Sequence, residues 1–409
     1  MLAKPSIWTV LASRPIWVSL LMGFSSGLPL LLTGSLLQAW MTDAKVSLAE
    51  ISLMSLVGLP YTLKFLWAPL LDRFIPPFLG RRRGWLLLAQ LAVLSSLVML
   101  GNTDPASNPW LTASMALLVA FCSATQDIVV DAYRREDLAD RELGLGASMY
   151  VNGYRIGMLL AGGGGLILAD HMPFSAVYTV LAAAMLVGLI TTLIAPEPPV
   201  PHGTPSTLRG AVVEPLRQYF EREGAWLILI FILLYKLGDT MAGAITTPFY
   251  LGLGFSKTEI GAVVKLFGSW ATIVGGTLGG LLILRLGIRQ SLWWFGLGQM
   301  VSTLGFAILA NIGHSREALV GVITVENLTS GMGTAAFVAF MGALTDKRFT
   351  ATQYALLSSL MGIPRVLFAA PTGWISLQTG WPMFFLLCTV IAIPGLLMIR
   401  TVAKPESDS

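Results

Sequence analysis

Asp127 and Asp131 stand four residues apart in the run FCSATQDIVVDAYRRE, a spacing that stacks both carboxylates on one face of a helix. The stretch leading into them is apolar, and an ionisable side chain deep in a membrane-spanning helix is costly and usually functional. A carboxylate held out of water is penalised in its charged form, which is the property a proton-coupled carrier uses. In its own segment Asp127 has only Arg134 and Arg135 as opposite charges, both nearer water, so it is the first candidate proton carrier. Asp131 lies closer to the interface, where pairing with Arg134 or Arg135 is the competing role. Lys64, Arg155, Lys236, Asp239, Lys265, Glu326 and Arg365 carry charge into other apolar runs. Lys236 and Asp239, at i and i+3, can also simply neutralise one another on one helix face.

The elements that must position these groups follow from composition. Charged residues make up 12% of the chain and apolar ones 55%, against about 25% charged in soluble domains, and the apolar residues fall in long blocks. The pattern predicts an all-α integral membrane protein with twelve spans, near 16–40, 51–71, 84–102, 110–133, 145–169, 174–195, 225–249, 258–281, 290–311, 317–343, 350–374 and 381–400. Each approaches the ~20 residues needed to cross ~30 Å of hydrocarbon. Most Lys and Arg fall on the side of the N-terminus, whereas the opposite side carries only Lys45, Lys257 and Arg316. Basic residues are retained in cytoplasmic loops, so both termini are expected in the cytoplasm. The first span has no small-residue cleavage site after it and reads as a retained helix, not a signal peptide.

The net charge of +4 is spread over the cytoplasmic segments and reflects topology; no nucleic-acid partner is expected. Cys122 and Cys388 fall inside spans as packing residues, and His171, His202 and His314 lack ligand spacing, so no metal site is expected. There is no phosphate-cradling G-x-x-x-x-G-K, no H-E-x-x-H and no Ser/His/Asp set. These absences point away from an enzyme and toward transport, which needs a midplane site and a group whose charge changes during the cycle.

The chain also repeats itself. Ser47-Leu-Ala-Glu50-Ile51 and Ser256-Lys-Thr-Glu259-Ile260 are matching capping boxes, about 210 residues apart, and Arg155 and Arg365 keep that offset, as do Ser148 and Ser358. Spans one to six thus recur as seven to twelve. Residues 196–224 begin with a proline-rich stretch and read as a cytoplasmic linker between a six-helix bundle at 1–195 and another at 225–409. Two such bundles are the architecture of the major facilitator superfamily. Its loop motif, G-x-L-x-D-R-x-G-R-K, is matched in part by Leu70, Asp72 and Arg73, and again by Gly280, Leu282, Arg285, Gly287 and Arg289, which makes Asp72, Arg73 and Arg285 candidate gating residues. Gly162 to Gly165, Gly275 with Gly276, and Gly279 with Gly280 mark close helix approaches, with static packing as the alternative. Pro364 directly before Arg365 is a candidate bend beside a charge.

The runs GLPLLLTGSLLQAWM from Gly27, KFLWAPLLDRFIPPFLGRRRGW from Lys64, FCSATQDIVVDA from Phe121, AWLILIFILLYKLGD ending at Asp239, and ENLTSGMGTAAFVAF from Glu326 closely resemble the muropeptide permease AmpG family of the major facilitator superfamily. The resemblance covers nearly all twelve spans. It implies proton-driven import across the bacterial inner membrane of GlcNAc-anhydro-MurNAc with or without its peptide, feeding peptidoglycan recycling and beta-lactamase induction, the link to antibiotic resistance. It makes Asp127 and Asp131 the proton-coupling pair. Cargo carboxylates could be met by Arg155, Lys236 and Arg365, with Asp239, Gln126, Lys265 and Glu326 completing the candidate cargo-binding set, and sugar faces by Tyr61, Tyr154, Tyr235 and Trp270, aromatics that could equally be core or interface residues. The expected partners are this small-molecule cargo and membrane lipid, the chain is expected to be monomeric, and no cofactor is expected besides the proton. The competing readings are a carrier of another bulky anion and, in another class, a membrane acyltransferase or a receptor.

Overall fold

The computed structural model describes residues 13–46, 50–51, 54–199, 208–222, 224–256, 259–368 and 371–402, which form helices joined by turns and short loops, with no strand among them. The first expected span is α1 (Arg14–Leu32) and α2 (Ser35–Asp43), interrupted at Thr33 and Gly34. The second is the most broken: α3 (Leu59–Leu63) and α4 (Ala68–Arg73) alternate with 3-10 turns at Met54–Gly58 and Lys64–Leu66. Pro60 and Pro69 each sit at the start of one of these short helices, where a missing N–H leaves no bond unmade. The third and fourth spans are the long helices α5 (Arg81–Gly101) and α6 (Pro109–Asp137). Asn108 caps α6, accepting from the Leu111 N–H at 3.0 Å.

The fifth span is α7 (Leu143–Leu159), a π-helical turn at Leu160–Gly164 and α8 (Gly165–Ala169), and the sixth is α9 (Phe174–Ala184) with α10 (Leu186–Ile194). A surface helix, α11 (Leu208–Glu221), follows. The seventh span is α12 (Ala225–Tyr235), α13 (Leu237–Ala244) and α14 (Thr246–Gly252), with Lys236 at the first break. A π-helical segment at Ile260–Phe267 leads into α15 (Gly268–Ile312), which carries spans eight and nine and turns at Gly287, where φ is 76°. The remaining elements are α16 (Arg316–Leu344), α17 (Thr350–Leu367), α18 (Thr372–Thr379) and α19 (Trp381–Val402). Among the described residues seven helices, or eight if the bent pair Arg316–Leu344 and Lys347–Pro364 counts as one span, are long and apolar enough individually to cross a membrane. The other expected spans fall short of that test because breaks divide them or a run such as Ile260–Ile312 joins two.

The helices gather into two compact units. Unit 1 is Met1–Glu142, Met149–Leu216 and Thr345–Ser359; unit 2 is Leu143–Ser148, Arg217–Leu344 and Leu360–Ser409. In unit 1 the core runs through Leu28, Leu32, Leu97, Val119 and Tyr178, and the Tyr178 hydroxyl donates to the Leu32 carbonyl at 2.7 Å. Gly23 and Gly27 of α1 face Tyr150 and Tyr154 of α7, while Gly153 and Gly157 face Leu20 and Phe24. A Cβ at Gly153 would meet the Leu20 carbonyl oxygen, so these two four-residue glycine pairs bring the backbones together in the small-residue manner of membrane helices. That contact fixes the helix carrying Tyr150, Tyr154 and Arg155. Unit 2 is built on aromatic packing, with the Phe249 ring 4.8 Å from Phe385 and Phe385 5.1 Å from Phe306. Large apolar side chains stand outward, Ile194 at 76% and Leu377 at 85% exposure, as hydrocarbon-facing surfaces require.

Candidate functional site

In unit 1 the sixth helix stacks its charges on one face. Asp127 and Asp131 are both buried, and Arg134 follows one further turn along. Lys64, aimed inward from the 3-10 turn that interrupts the second span, places its Nζ 3.7 Å from Asp131 Oδ2. It is also the foremost opposite charge acting on Asp127. Arg134 lies 3.5 Å from Asp131 Oδ1, donates to the Tyr354 hydroxyl at 2.9 Å and sits over the rings of Tyr150 and Tyr354 at 4.9 and 5.4 Å. Arg135 turns away to Asp140 at 2.9 Å. Two carboxylates thus face two cations. Asp127 keeps one buried oxygen, Oδ1, without a hydrogen-bond partner, so it is the member of the set with room to accept a proton. Gln126 is committed elsewhere, its Nε2 donating to Ser25 Oγ at 2.9 Å.

A second ionic network in unit 1 surrounds Asp72. Arg82, fully buried, reaches Asp72 Oδ1 at 2.7 Å and Glu136 Oε1 at 2.6 Å, and Arg81 reaches the same Glu136 oxygen at 2.9 Å. The free donors at the start of α17 finish the arrangement: Thr352 gives its N–H and hydroxyl to Asp72 Oδ2 at 2.9 and 2.7 Å, and the Thr350 hydroxyl donates to Glu136 at 2.9 Å. A carboxylate at a helix N-terminus satisfies donors that the helix leaves unpaired. The same device holds the start of α5, where Glu197 accepts from the Arg82 and Arg83 N–H groups at 2.7 and 2.9 Å. Of the three candidate gating residues, only Asp72 belongs to this network. Arg73 lies over the Phe74 ring at 5.6 Å, and Arg285 is exposed two residues before Gly287.

Unit 2 holds a separate cluster. Lys236 Nζ is 3.6 Å from Asp239 Oδ2 and donates to Gln299 Oε1 at 2.9 Å. Glu326, 8% exposed, has Asp239 as its foremost charged neighbour and Lys236 as a weaker one. Its Oε2 lies 2.5 Å from Ser302 Oγ, which is also 2.8 Å from the Gln299 carbonyl oxygen and 3.0 Å from Thr329 Oγ1. The structure therefore brings Lys236, Asp239 and Glu326 of the expected cargo set together and adds Gln299 and Ser302.

The other expected contacts are dispersed. Tyr154 packs with Tyr150 at 6.2 Å in unit 1, next to the half-buried Arg155. Lys265 lies exposed on the π-helical segment and Trp270, 55% exposed, on α15. The Arg365 side chain lies outside the described residues, although its backbone is part of α17. Sequence reasoning counted Lys64 among the buried charges without assigning it to the site, and it missed Arg81, Arg82, Glu136, Thr350 and Thr352. An arginine triplet directly before an apolar run was the available signal for the latter group.

The family model of the Major Facilitator Superfamily matches residues 17–369. A curated protein of Escherichia coli (strain K12), "Anhydromuropeptide permease", is 45% identical over 384 residues, covering 93% of this chain and 78% of its own. "Putative transporter AmpG 1" of Rickettsia bellii is 32% identical over 400 residues, covering 95% of this chain and 98% of its own. Among solved structures, the proton:xylose symporter XylE of the major facilitator superfamily matches with a TM-score of 0.72 at 11% identity, covering 95% of each chain. At that identity the likeness shows the fold.

Proposed function

The chain belongs to the muropeptide permease AmpG family of the major facilitator superfamily, and we propose that it imports GlcNAc-anhydro-MurNAc and its peptides by proton-coupled alternating access. It is a multi-pass membrane transporter and not an enzyme. Its setting on this reading is the bacterial inner membrane, with both termini in the cytoplasm, a single chain as the working unit, and peptidoglycan recycling and beta-lactamase induction as the processes supplied.

The observation that carries the coupling is the buried set Asp127, Asp131, Lys64 and Arg134. With both acids ionised the set is neutral, the state a low-dielectric interior favours. A proton on Asp127 leaves one positive charge uncompensated, and an anionic cargo group can offset it. Proton and anionic cargo then favour one another's binding, which is the requirement for moving together. Arg155, Lys236 and Arg365 are the bases we assign to peptide carboxylates; Gln126 and Asp239, already hydrogen-bonded or ion-paired to neighbours, and Lys265, Tyr154 and Trp270 have secondary roles.

The test is uptake of labelled anhydro-muropeptide into proteoliposomes with and without an inward proton gradient. Accumulation above equilibrium should require the gradient, and Asp127→Asn should abolish it while leaving cargo exchange partly intact. An amide accepts a hydrogen bond but carries no proton. Accumulation by Asp127→Asn equal to that of the unmodified protein would overturn the assignment.

A further inference from the structure

We infer that a cleft between the start of the ninth span and the end of the twelfth binds the headgroup of an anionic phospholipid. Arg289, Gln290, Trp293 and Trp294 of α15 line it from one side and Ile399 and Arg400 of α19 from the other, around a volume of about 260 Å³. Two arginines face it and no acid does. All six residues belong to unit 2, and none takes part in the ionic clusters described above.

The cleft is a product of packing. Beyond the turn at Gly287, α15 runs back against α19, and a Cβ at Gly296 would meet the Leu396 side chain and the Tyr235 ring. The Tyr235 hydroxyl donates to the Leu292 carbonyl at 3.0 Å. These contacts fix both walls one to two turns from the cleft, and Ile399, 2% exposed, closes its inner side. Arg400 lies over the Trp293 ring at 5.6 Å. A guanidinium stacked by its face keeps its N–H fork free at the edge, the geometry that grips a phosphate with two donors. Arg289 adds the second positive charge and Gln290 a neutral donor. Among the described residues neither arginine has an ion-pair partner.

Tryptophan and arginine are each usual at a membrane interface; here they converge on one cleft that continues into the hydrocarbon-facing surface. Trp294 shares its helix face with Val301 and Ile308, at seven-residue steps along α15, and Arg400 lies one turn beyond Leu397, itself seven residues from Val390 on α19. All of these apolar side chains are exposed. A phospholipid with its phosphate in the cleft and its acyl chains along the two stripes is satisfied at both ends, whereas a soluble anion would use only the first. Basic pockets between membrane helices hold anionic headgroups in this way. The lipid reading rests on the chain being a multi-pass membrane transporter and on nothing about cargo or proton coupling.

The test is native mass spectrometry of the purified full chain in detergent, titrated with phosphatidylglycerol or phosphatidylethanolamine and read as the affinity of the tightest-held lipid. The unmodified protein should hold phosphatidylglycerol in preference. Arg289→Gln or Arg400→Gln should weaken it about fivefold, and the two together about thirtyfold, as expected for roughly one favourable charge contact each. Both positions are exposed ends of helices, so thermal unfolding should be unmoved; should the double variant fail to elute as a monodisperse species, the single variants decide. Equal retention of the two lipids by the unmodified protein, or unchanged affinity in the variants, overturns the inference. Displacement of phosphatidylglycerol by an equal concentration of inorganic phosphate would make this a free-anion site, and overturns it as well. So does retention of lipid only after Glu406→Gln and Asp408→Asn, which would make the acidic end of the chain, outside the described residues, the occupant.

Discussion

Replacing Lys64 with methionine, which keeps the length of the side chain and removes its charge, leaves Asp127 and Asp131 facing Arg134 alone. At the 3.7 Å observed between Lys64 Nζ and Asp131 Oδ2, the pair interaction is roughly 4 to 5 kcal/mol with an effective dielectric constant of about 20. Removing one partner of a buried pair costs about 3 to 5 kcal/mol, chiefly because the remaining charge is stranded, so the two estimates agree. Asp131→Asn strands the opposite charge, leaving Lys64 and Arg134 against Asp127, and should destabilise by a similar amount reduced by whatever Lys64 gains from turning to Asp127. The double variant Lys64→Met/Asp131→Asn is again neutral, with Arg134 and Asp127 remaining. Its destabilisation should fall well below the sum of the single variants, with a coupling of about 2 kcal/mol or more. Thermal unfolding of the four proteins in one detergent gives the cycle, and counterflow of labelled anhydro-muropeptide reports whether the neutral double variant regains exchange. Additive destabilisation, with no recovery of exchange, would refute charge balance as the organising principle of this cluster.

Three further outcomes follow from named contacts. Arg155→Lys should lower uptake of peptide-bearing cargo more than that of the bare anhydro-disaccharide, on the order of tenfold in the ratio, because lysine cannot reproduce a bidentate grip on a carboxylate; an unchanged ratio assigns Arg155 to helix packing. Arg82→Met leaves the buried Asp72 and Glu136 with Arg81 as their one remaining arginine in the network and should lower stability by about 3 to 5 kcal/mol, with Glu136→Gln added to it restoring the charge balance and giving partial rescue in thermal unfolding. Asp104→Cys, in the exposed loop between α5 and α6, should react with an impermeant thiol reagent from the periplasm and Thr204→Cys should not, in a background without Cys122 and Cys388; the reverse labelling inverts the topology.

What could be read from the sequence was whatever helix geometry alone decides. The four-residue spacing put Asp127 and Asp131 on one face, and α6 runs unbroken through both. The Ser256–Glu259 capping box is formed as expected, with the Ser256 N–H on Glu259 Oε2 at 2.9 Å and the Glu259 N–H on Ser256 Oγ at 3.2 Å; its counterpart at Ser47 lies outside the described residues. Pairings made across helices were not legible. Lys64 meets Asp131 because the second span breaks into short helical pieces, a choice set by packing and by Pro60 and Pro69 and not by hydrophobic periodicity. Arg82, Glu136 and Thr352 meet although scattered along the chain from the third span to the eleventh. The linear neighbourhood of Asp127 suggested Arg134 and Arg135 as its only partners, whereas the folded one supplies Lys64 as the foremost.

The internal repeat shows where coupling can reside. At the offset of about 210 residues that relates Arg155 to Arg365, Asp127 corresponds to Phe337, Asp131 to Met341 and Lys64 to Val274, while Asp239 corresponds to Pro29 and Glu326 to Ala116. Of these apolar counterparts Phe337, Met341, Pro29 and Ala116 are buried packing residues, Phe337 stacking on Tyr235 at 5.0 Å, whereas Val274 stands outward. The duplicated capping boxes, by contrast, belong to a scaffold shared by both halves. The ionisable clusters are where the halves differ, Asp127 and Asp131 with Lys64 and Arg134 in one, and Lys236, Asp239 and Glu326 in the other. A carrier whose halves were equivalent would bind protons equivalently in each. The variants that probe coupling are therefore charge changes at Asp127 and Asp131 and not substitutions in the repeated framework.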